Sequence, residues 1–231
     1  MLKVVEIYDS IMGEGIQIGI PMTFVRLAGC NLRCTWCDTP QGFTEGTAMD
    51  EKAILELCKS NTWICQTGGE PLLQNVGPLI QQLQENGHLV AVETNGTVGP
   101  QDILDKWYEF DFWTISPKLS NSGMKDHLSL ETLTKLYHYA WDYDMQLKFV
   151  VETKEDIIEV RDVLTALKEH LHRDISCPVV IQPQVKTQRI PADQLAYYFE
   201  RLKFLSLEAT EILANYDVRV LPQLHKLMYV R

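Results

Sequence analysis

Stretches apolar enough to cross a bilayer are missing from this chain, and so is any basic surplus. Asp and Glu number 31 against 21 Lys and Arg, a formal charge of −10 over 231 residues. The first absence leaves no candidate membrane span. The second argues against a broad nucleic-acid face, which needs clustered cations to neutralise phosphates. A small anionic ligand held by one or two local cations is still compatible with it. Internal repeats, linkers and low-complexity tracts are missing too, so residues 1–231 are expected to form one domain. The opening Met1-Leu2-Lys3-Val4-Val5-Glu6 is no signal peptide. A reducing cytoplasm is therefore the expected setting, and disulfides are not expected.

Cysteine is uneven. Three of six fall within eight residues, Cys30, Cys34 and Cys37, spaced C-x3-C-x2-C. One loop can point three such thiolates at one centre, and iron–sulfur clusters are held by runs of this kind. A four-iron cluster wants four ligands, so three cysteines leave one iron open to a small molecule. A zinc-binding interaction module is the competing reading from outside enzyme chemistry. Zinc wants a fourth ligand, commonly from a second knuckle or a histidine pair, and neither residue type follows before Cys58. Cys58, Cys65 and Cys177 sit in or beside apolar or helical patterns and read as small buried hydrophobes.

Strands are expected at 2–8, 22–27, 62–66, 89–93, 110–115, 146–151, 178–181 and 218–220. Helices are expected to about Lys59 after a capping box at Thr47–Asp50, then at 75–86, 129–141, 154–171 and 191–214, the last broken near Ser206. Pro100 opens a further short helix, and 119–127 reads as an exposed polar loop. The strand–helix unit recurs about six times, which implies an α/β fold with a parallel sheet. Polar clusters recur where strands end, on the face where such folds bind ligands. Asp9–Gly15 reads as a loop whose glycines admit close approach of a ligand, or as a simple hairpin turn. Arg26 interrupts an apolar run, either at a strand edge or aimed into a site. Glu93 and Asn95 could equally be turn and cap residues, and His225 a satisfied core histidine.

The cysteine run, with Trp36 before its third member, resembles the signature of radical S-adenosylmethionine (SAM) enzymes. Gly68-Gly69-Glu70-Pro71, Glu93-Thr94-Asn95-Gly96 and Ser116-Pro117-Lys118 follow in that superfamily's order. Gly13-Glu14-Gly15, Cys37-Asp38-Thr39 and Pro222-Gln223-Leu224-His225 narrow the match. Over nearly its whole length the chain resembles the 7-carboxy-7-deazaguanine synthase family. The resemblance implies a partial (β/α)6 barrel of about six parallel strands. It implies a 4Fe-4S cluster on Cys30, Cys34 and Cys37, with SAM on the open iron. Reductive cleavage of SAM would give a 5′-deoxyadenosyl radical that takes a hydrogen from 6-carboxy-5,6,7,8-tetrahydropterin. Ring contraction and loss of ammonia would then give 7-carboxy-7-deazaguanine, on the route to queuosine, with SAM regenerated.

The same resemblance assigns roles. Trp36, Gly69, Glu70, Glu93, Asn95, Ser116, Lys118 and Gln182 would surround SAM, with Glu70 accepting from its ammonium. Thr39 would bind magnesium, with Asp38 behind it. Ile11, Met12, Gly13, Glu14, Arg26, Thr67 and His225 would meet the pterin, Arg26 through its carboxylate, and the terminal carboxylate of Arg231 could reach it too. Met12 stands where the family has glutamine, so only its backbone could serve. An external electron donor such as flavodoxin, a homodimer, and no nucleic-acid or membrane partner are the further implications. Within enzymes, the runner-up is a radical SAM activase that makes a glycyl radical on a partner protein.

Overall fold

The computed structural model describes residues 1–99, 109–141 and 144–230. The helix expected at Pro100 and the terminal Arg231 lie outside these residues. Strand β1 (Leu2–Ile11) pairs antiparallel with β2 (Pro21–Leu27) and, on its other edge, with β3 (Thr47–Met49). From β2 the sheet continues in parallel through β4 (Trp63–Gly68), β5 (Leu89–Thr94), β6 (Phe112–Ile115), β7 (Asp144–Val151), β8 (Val179–Pro183) and β9 (Val218–Val220). The order is β3-β1-β2-β4-β5-β6-β7-β8-β9, and the sheet is open between β3 and β9. Parallel strands lying in chain order are the winding of a barrel, and an open sheet of this kind is the expected partial barrel.

The sheet curls. The loop between β1 and β2 reaches β7, five positions along from β2 if β2 is counted, where the Ile16 amide donates to Gln146 Oε1 at 2.9 Å. The concave face holds a small apolar cluster of Met12, Met22, Phe24, Cys65, Ala91 and Phe112. The other face carries the main core, to which α1 (Glu51–Leu57), α2 (Gly77–Glu85), α3 (Leu130–Ala140), α4 (Lys154–Leu171) and α5 (Leu195–Ile212) contribute residues such as Ile54, Leu79, Leu136, Leu164 and Leu205. Being covered on both faces, β5 and β8 read as nearly unbroken apolar runs. The short α6 (Leu224–Met228) follows β9.

Three local expectations need correction. β1 runs on to Ile11, because Asp9 accepts a hydrogen bond from Thr23 of β2 at 2.6 Å; the loop begins only at Met12. Thr47–Met49 is the edge strand β3, not a capping box, and Asp50 alone caps α1 by accepting from the Ala53 amide at 2.7 Å. α5 passes Ser206 unbroken, with Leu205 and Ala209 buried on either side of it. Residues 119–127 are largely exposed, as expected, but Leu119 and Ser122 are buried, and two 3-10 turns fold the segment against the cysteine loop.

Candidate active site

The cysteine loop leaves the end of β2 and is held from three sides. The Gly29 amide donates to Gly42 O at 2.8 Å, and Gly29 O accepts from the Glu70 amide at 2.8 Å. Asn95 Nδ2 donates to Asn31 Oδ1 at 3.1 Å, and Asn31 Nδ2 to Thr97 at 2.7 Å. From the 119–127 segment, Ser122 O accepts from the Thr35 amide at 3.0 Å and Asn121 Oδ1 from the Trp36 indole at 3.3 Å. Gly69 is required by close packing: a Cβ there would lie 1.8 Å from Gly29 O and 2.9 Å from Gly42 O, both backbone. Gly69→Ala is expected to push the two loops apart and cost about 1–3 kcal/mol, the range of overpacked sites. Denaturant unfolding reads this, and an unchanged midpoint would show that the loops yield freely.

Cys30, Cys34 and Cys37 are free, half-buried and open on one cleft of about 260 Å³. Burial pushes the Cys30 and Cys34 thiols up, and the Lys118 ammonium partly offsets this at Cys34. The three lie close enough to repel one another as thiolates. Among the described residues, no three His, Cys, Asp or Glu side chains converge on the point a single metal ion would occupy. A four-iron cluster asks for less convergence, since each thiolate goes to a different iron. Three free thiols and a nearby cation fit that group. The other three thiols behave differently. Cys58, Cys65 and Cys177 are buried, and burial pushes the Cys58 thiol up to about 12 and that of Cys177 to about 11.

Strand ends supply the rest of the cleft. Trp36, Asp38, Thr39, Thr67, Gly69, Glu93, Asn95, Ser116, Lys118 and Gln182 all line it, as do Ile11, Met12, Gly13, Glu14, Arg26 and His225. Thr39 Oγ1 stands 3.8 Å from Cys37 Sγ. Lys118 donates to Ser116 Oγ at 2.9 Å and lies 5.6 Å over the Trp36 ring; burial lowers its pKa. Arg26 is held by Glu6 at 2.8 Å and by the Tyr8 hydroxyl at 2.7 Å. Met12 turns its side chain into the small core, while its amide donates to Ile20 O at 2.7 Å and its carbonyl accepts from Gly19 at 2.8 Å.

Glu70 does not line the cleft. It is fully buried, and its oxygens accept from the Leu72 amide at 3.0 Å, the Thr94 hydroxyl at 2.9 Å and the Asn95 amide at 2.7 Å. Burial raises its pKa, against the pull of those donors. Sequence reasoning missed Lys148 and Gln223. Lys148 Nζ donates to Glu14 at 2.5 Å and to Glu93 at 3.0 Å; Glu93 accepts also from Thr67 at 3.0 Å, and Glu14 from Gln223 at 2.6 Å. One polar chain thus crosses the cleft floor, Thr67–Glu93–Lys148–Glu14–Gln223. Burial pushes the Glu14 carboxyl up, but Lys148, His225 and Gln223 outweigh it and hold the group well below the carboxylate range. Burial likewise opposes the Lys148 ammonium, and the two carboxylates overcome it and raise its pKa. The signal in the sequence was a lone lysine inside the apolar strand Leu147–Val151.

Residues 24–170 match the family model of the radical SAM superfamily. A 7-carboxy-7-deazaguanine synthase of Aquifex aeolicus is 33% identical over 96% of this chain and 90% of its own length. The chain belongs to the 7-carboxy-7-deazaguanine synthase family of radical SAM enzymes. A second relative of that name, from Thermoplasma acidophilum, is 31% identical over 99% of this chain and 97% of its own. In fold, the chain resembles QueE from Escherichia coli, with a TM-score of 0.66 at 22% identity, over 95% of this chain and 93% of that one. Membership in this synthase family favours neither the glycyl-radical activase nor the zinc module. No described helix is long and apolar enough to cross a membrane.

Proposed function

We propose that this enzyme converts 6-carboxy-5,6,7,8-tetrahydropterin to 7-carboxy-7-deazaguanine with loss of ammonia. The observation that carries this reading is the meeting of the cysteine loop and the Gly13-Glu14 loop on one cleft. A 4Fe-4S cluster on Cys30, Cys34 and Cys37, with SAM at its open iron, would supply the reductive cleavage that starts hydrogen abstraction. Lys118 and Ser116 offer a cation and a hydroxyl to an anionic end of SAM. Gly69, packed on Gly29 and Gly42, offers its backbone to the cleft, and Trp36 flanks the same volume. Glu70 serves by holding the Thr94–Asn95 turn and the Leu72 amide in place. Arg26 can pair with the pterin carboxylate, since its guanidinium is tethered at Nε and one terminal nitrogen while it faces the cleft. Glu14, kept anionic by Lys148, and Glu93 can accept from the N–H groups of the pterin ring.

Magnesium belongs to the same reading, bound through Thr39 with Asp38 behind it and substrate oxygens completing the shell. Thr39→Ala is expected to raise the magnesium concentration for half-maximal activity at least several-fold; an unchanged requirement would remove Thr39 from that role. Flavodoxin or a similar donor, a cytoplasmic setting and a single domain over 1–231 complete the proposal. So does a homodimer, for which the exposed Tyr197, Phe199, Phe204 and Leu207 of α5 offer an apolar surface. The carboxylated tetrahydropterin should be consumed with little net release of 5′-deoxyadenosine. Deoxyadenosine accumulating while the pterin stays untouched would move the substrate elsewhere.

A further inference from the structure

Lys226 has a side chain with no exposed surface, a rare state for lysine. Its ammonium reaches Asp38 Oδ2 at 2.6 Å and Val185 O at 2.8 Å. Asp38 lies between the last cysteine of the loop, Cys37, and Thr39. A buried ammonium stripped of its partner is expensive, so it holds Asp38 wherever α6 sits. Asp38 is 29% exposed, so burial alone does not fix it.

The neighbours of Lys226 close on a different loop. The Leu224 amide donates to Gly13 O at 2.8 Å, Gln223 donates to Glu14 at 2.6 Å, and His225 packs where a Gly13 side chain would stand. The 185–190 segment joins the same knot. The Gln188 side chain donates to the Asp38 carbonyl, the Ile190 amide to Lys226 O at 3.3 Å, and Tyr229 to Ile190 O at 2.6 Å. Three segments far apart in sequence therefore meet at one ion pair.

We infer that Lys226 is a positioning residue that clips Cys37–Thr39 to residues 221–230, so that order in the cysteine loop and closure over Gly13–Glu14 are one coupled event. By linkage, a ligand favouring the closed 221–230 segment must also favour the ordered cysteine loop, and the reverse. That the ligand at Gly13–Glu14 is the carboxylated tetrahydropterin rests on the function proposed above.

Amide hydrogen exchange on the full chain tests the clip. In the wild type, the Cys37 and Gly42 amides donate to Cys34 O and Thr39 O. Lys226→Met, which keeps volume and loses charge, is expected to speed exchange across 37–42 at least tenfold without ligand, with Cys65–Thr67 of β4 unchanged. Unchanged exchange at 37–42 would overturn the clip. Should Lys226→Met loosen the whole fold, Lys226→Met with Asp38→Asn removes both charges, and the same local acceleration is expected. Adding the carboxylated tetrahydropterin should slow exchange at 37–42 further in the wild type and not in Lys226→Met; equal slowing in both would overturn the coupling. A wild type that binds no pterin would sink the proposed substrate, and the ligand-free comparison would still decide for or against the clip.

Discussion

Cys34→Ala is expected to fold as the wild type does and to cleave no SAM. The loop around Cys34 is pinned mainly by backbone groups and by Asn31, Trp36 and Asn95, none of which needs the thiol. Cys34 is only half-buried, so removing its sulfur leaves no large cavity. Stability should change by no more than about 1 kcal/mol, as is usual away from a core. What disappears is one of three ligands, and with it a stable cluster. Iron and sulfide content after reconstitution, together with 5′-deoxyadenosine release, measure this. Retained SAM cleavage would sink the assignment of the cysteine loop.

Lys148→Met is expected to be the most destabilising single change in the cleft. It strands Glu14 and Glu93 as neighbouring carboxylates in a site where Lys148 is 8% exposed and they are 17% and 23% exposed. Removing one member of a buried ion pair costs about 3–5 kcal/mol. For a chain of this size that is a fall in Tm of roughly 10 °C. Lys148→Met with Glu14→Gln should recover part of the loss, because the second change removes one stranded charge. If the double variant is no more stable than the single one, the ion pair is not the source.

The pH dependence follows from the same groups. The Glu14 carboxyl is held well below its ordinary value, so its stabilisation is complete above the unfolded value, about pH 4.3, and drains away as pH falls further. The Lys148 ammonium is raised, so its contribution is complete below about pH 10.4 and is lost as pH climbs past that. Between those limits, neither group should make wild-type stability depend on pH.

How much of this was legible in the sequence depends on distance along the chain. Cys30, Cys34 and Cys37 declare themselves by spacing alone, and strand ends predict that Thr67, Glu93, Ser116, Gln182 and His225 meet. Lys148 did not declare itself, because its partners lie 134 and 55 residues away and a lone lysine in an apolar strand has several ordinary explanations. Gln223, 209 residues from Glu14, was hidden for the same reason. Glu70 shows the opposite limit. Its motif places it after β4 beside the cleft, but spacing does not say which way a side chain turns, and this one turns into its own loop. Thr47–Met49 was misread because a capping pattern and a three-residue edge strand look alike until the partner β1 is known.

The central claim is the conversion itself. Anaerobically reconstituted protein, given SAM, a reductant, magnesium and 6-carboxy-5,6,7,8-tetrahydropterin, should form 7-carboxy-7-deazaguanine, identified by mass, over many turnovers with little net loss of SAM. SAM consumed to 5′-deoxyadenosine with the pterin returned unchanged would contradict it.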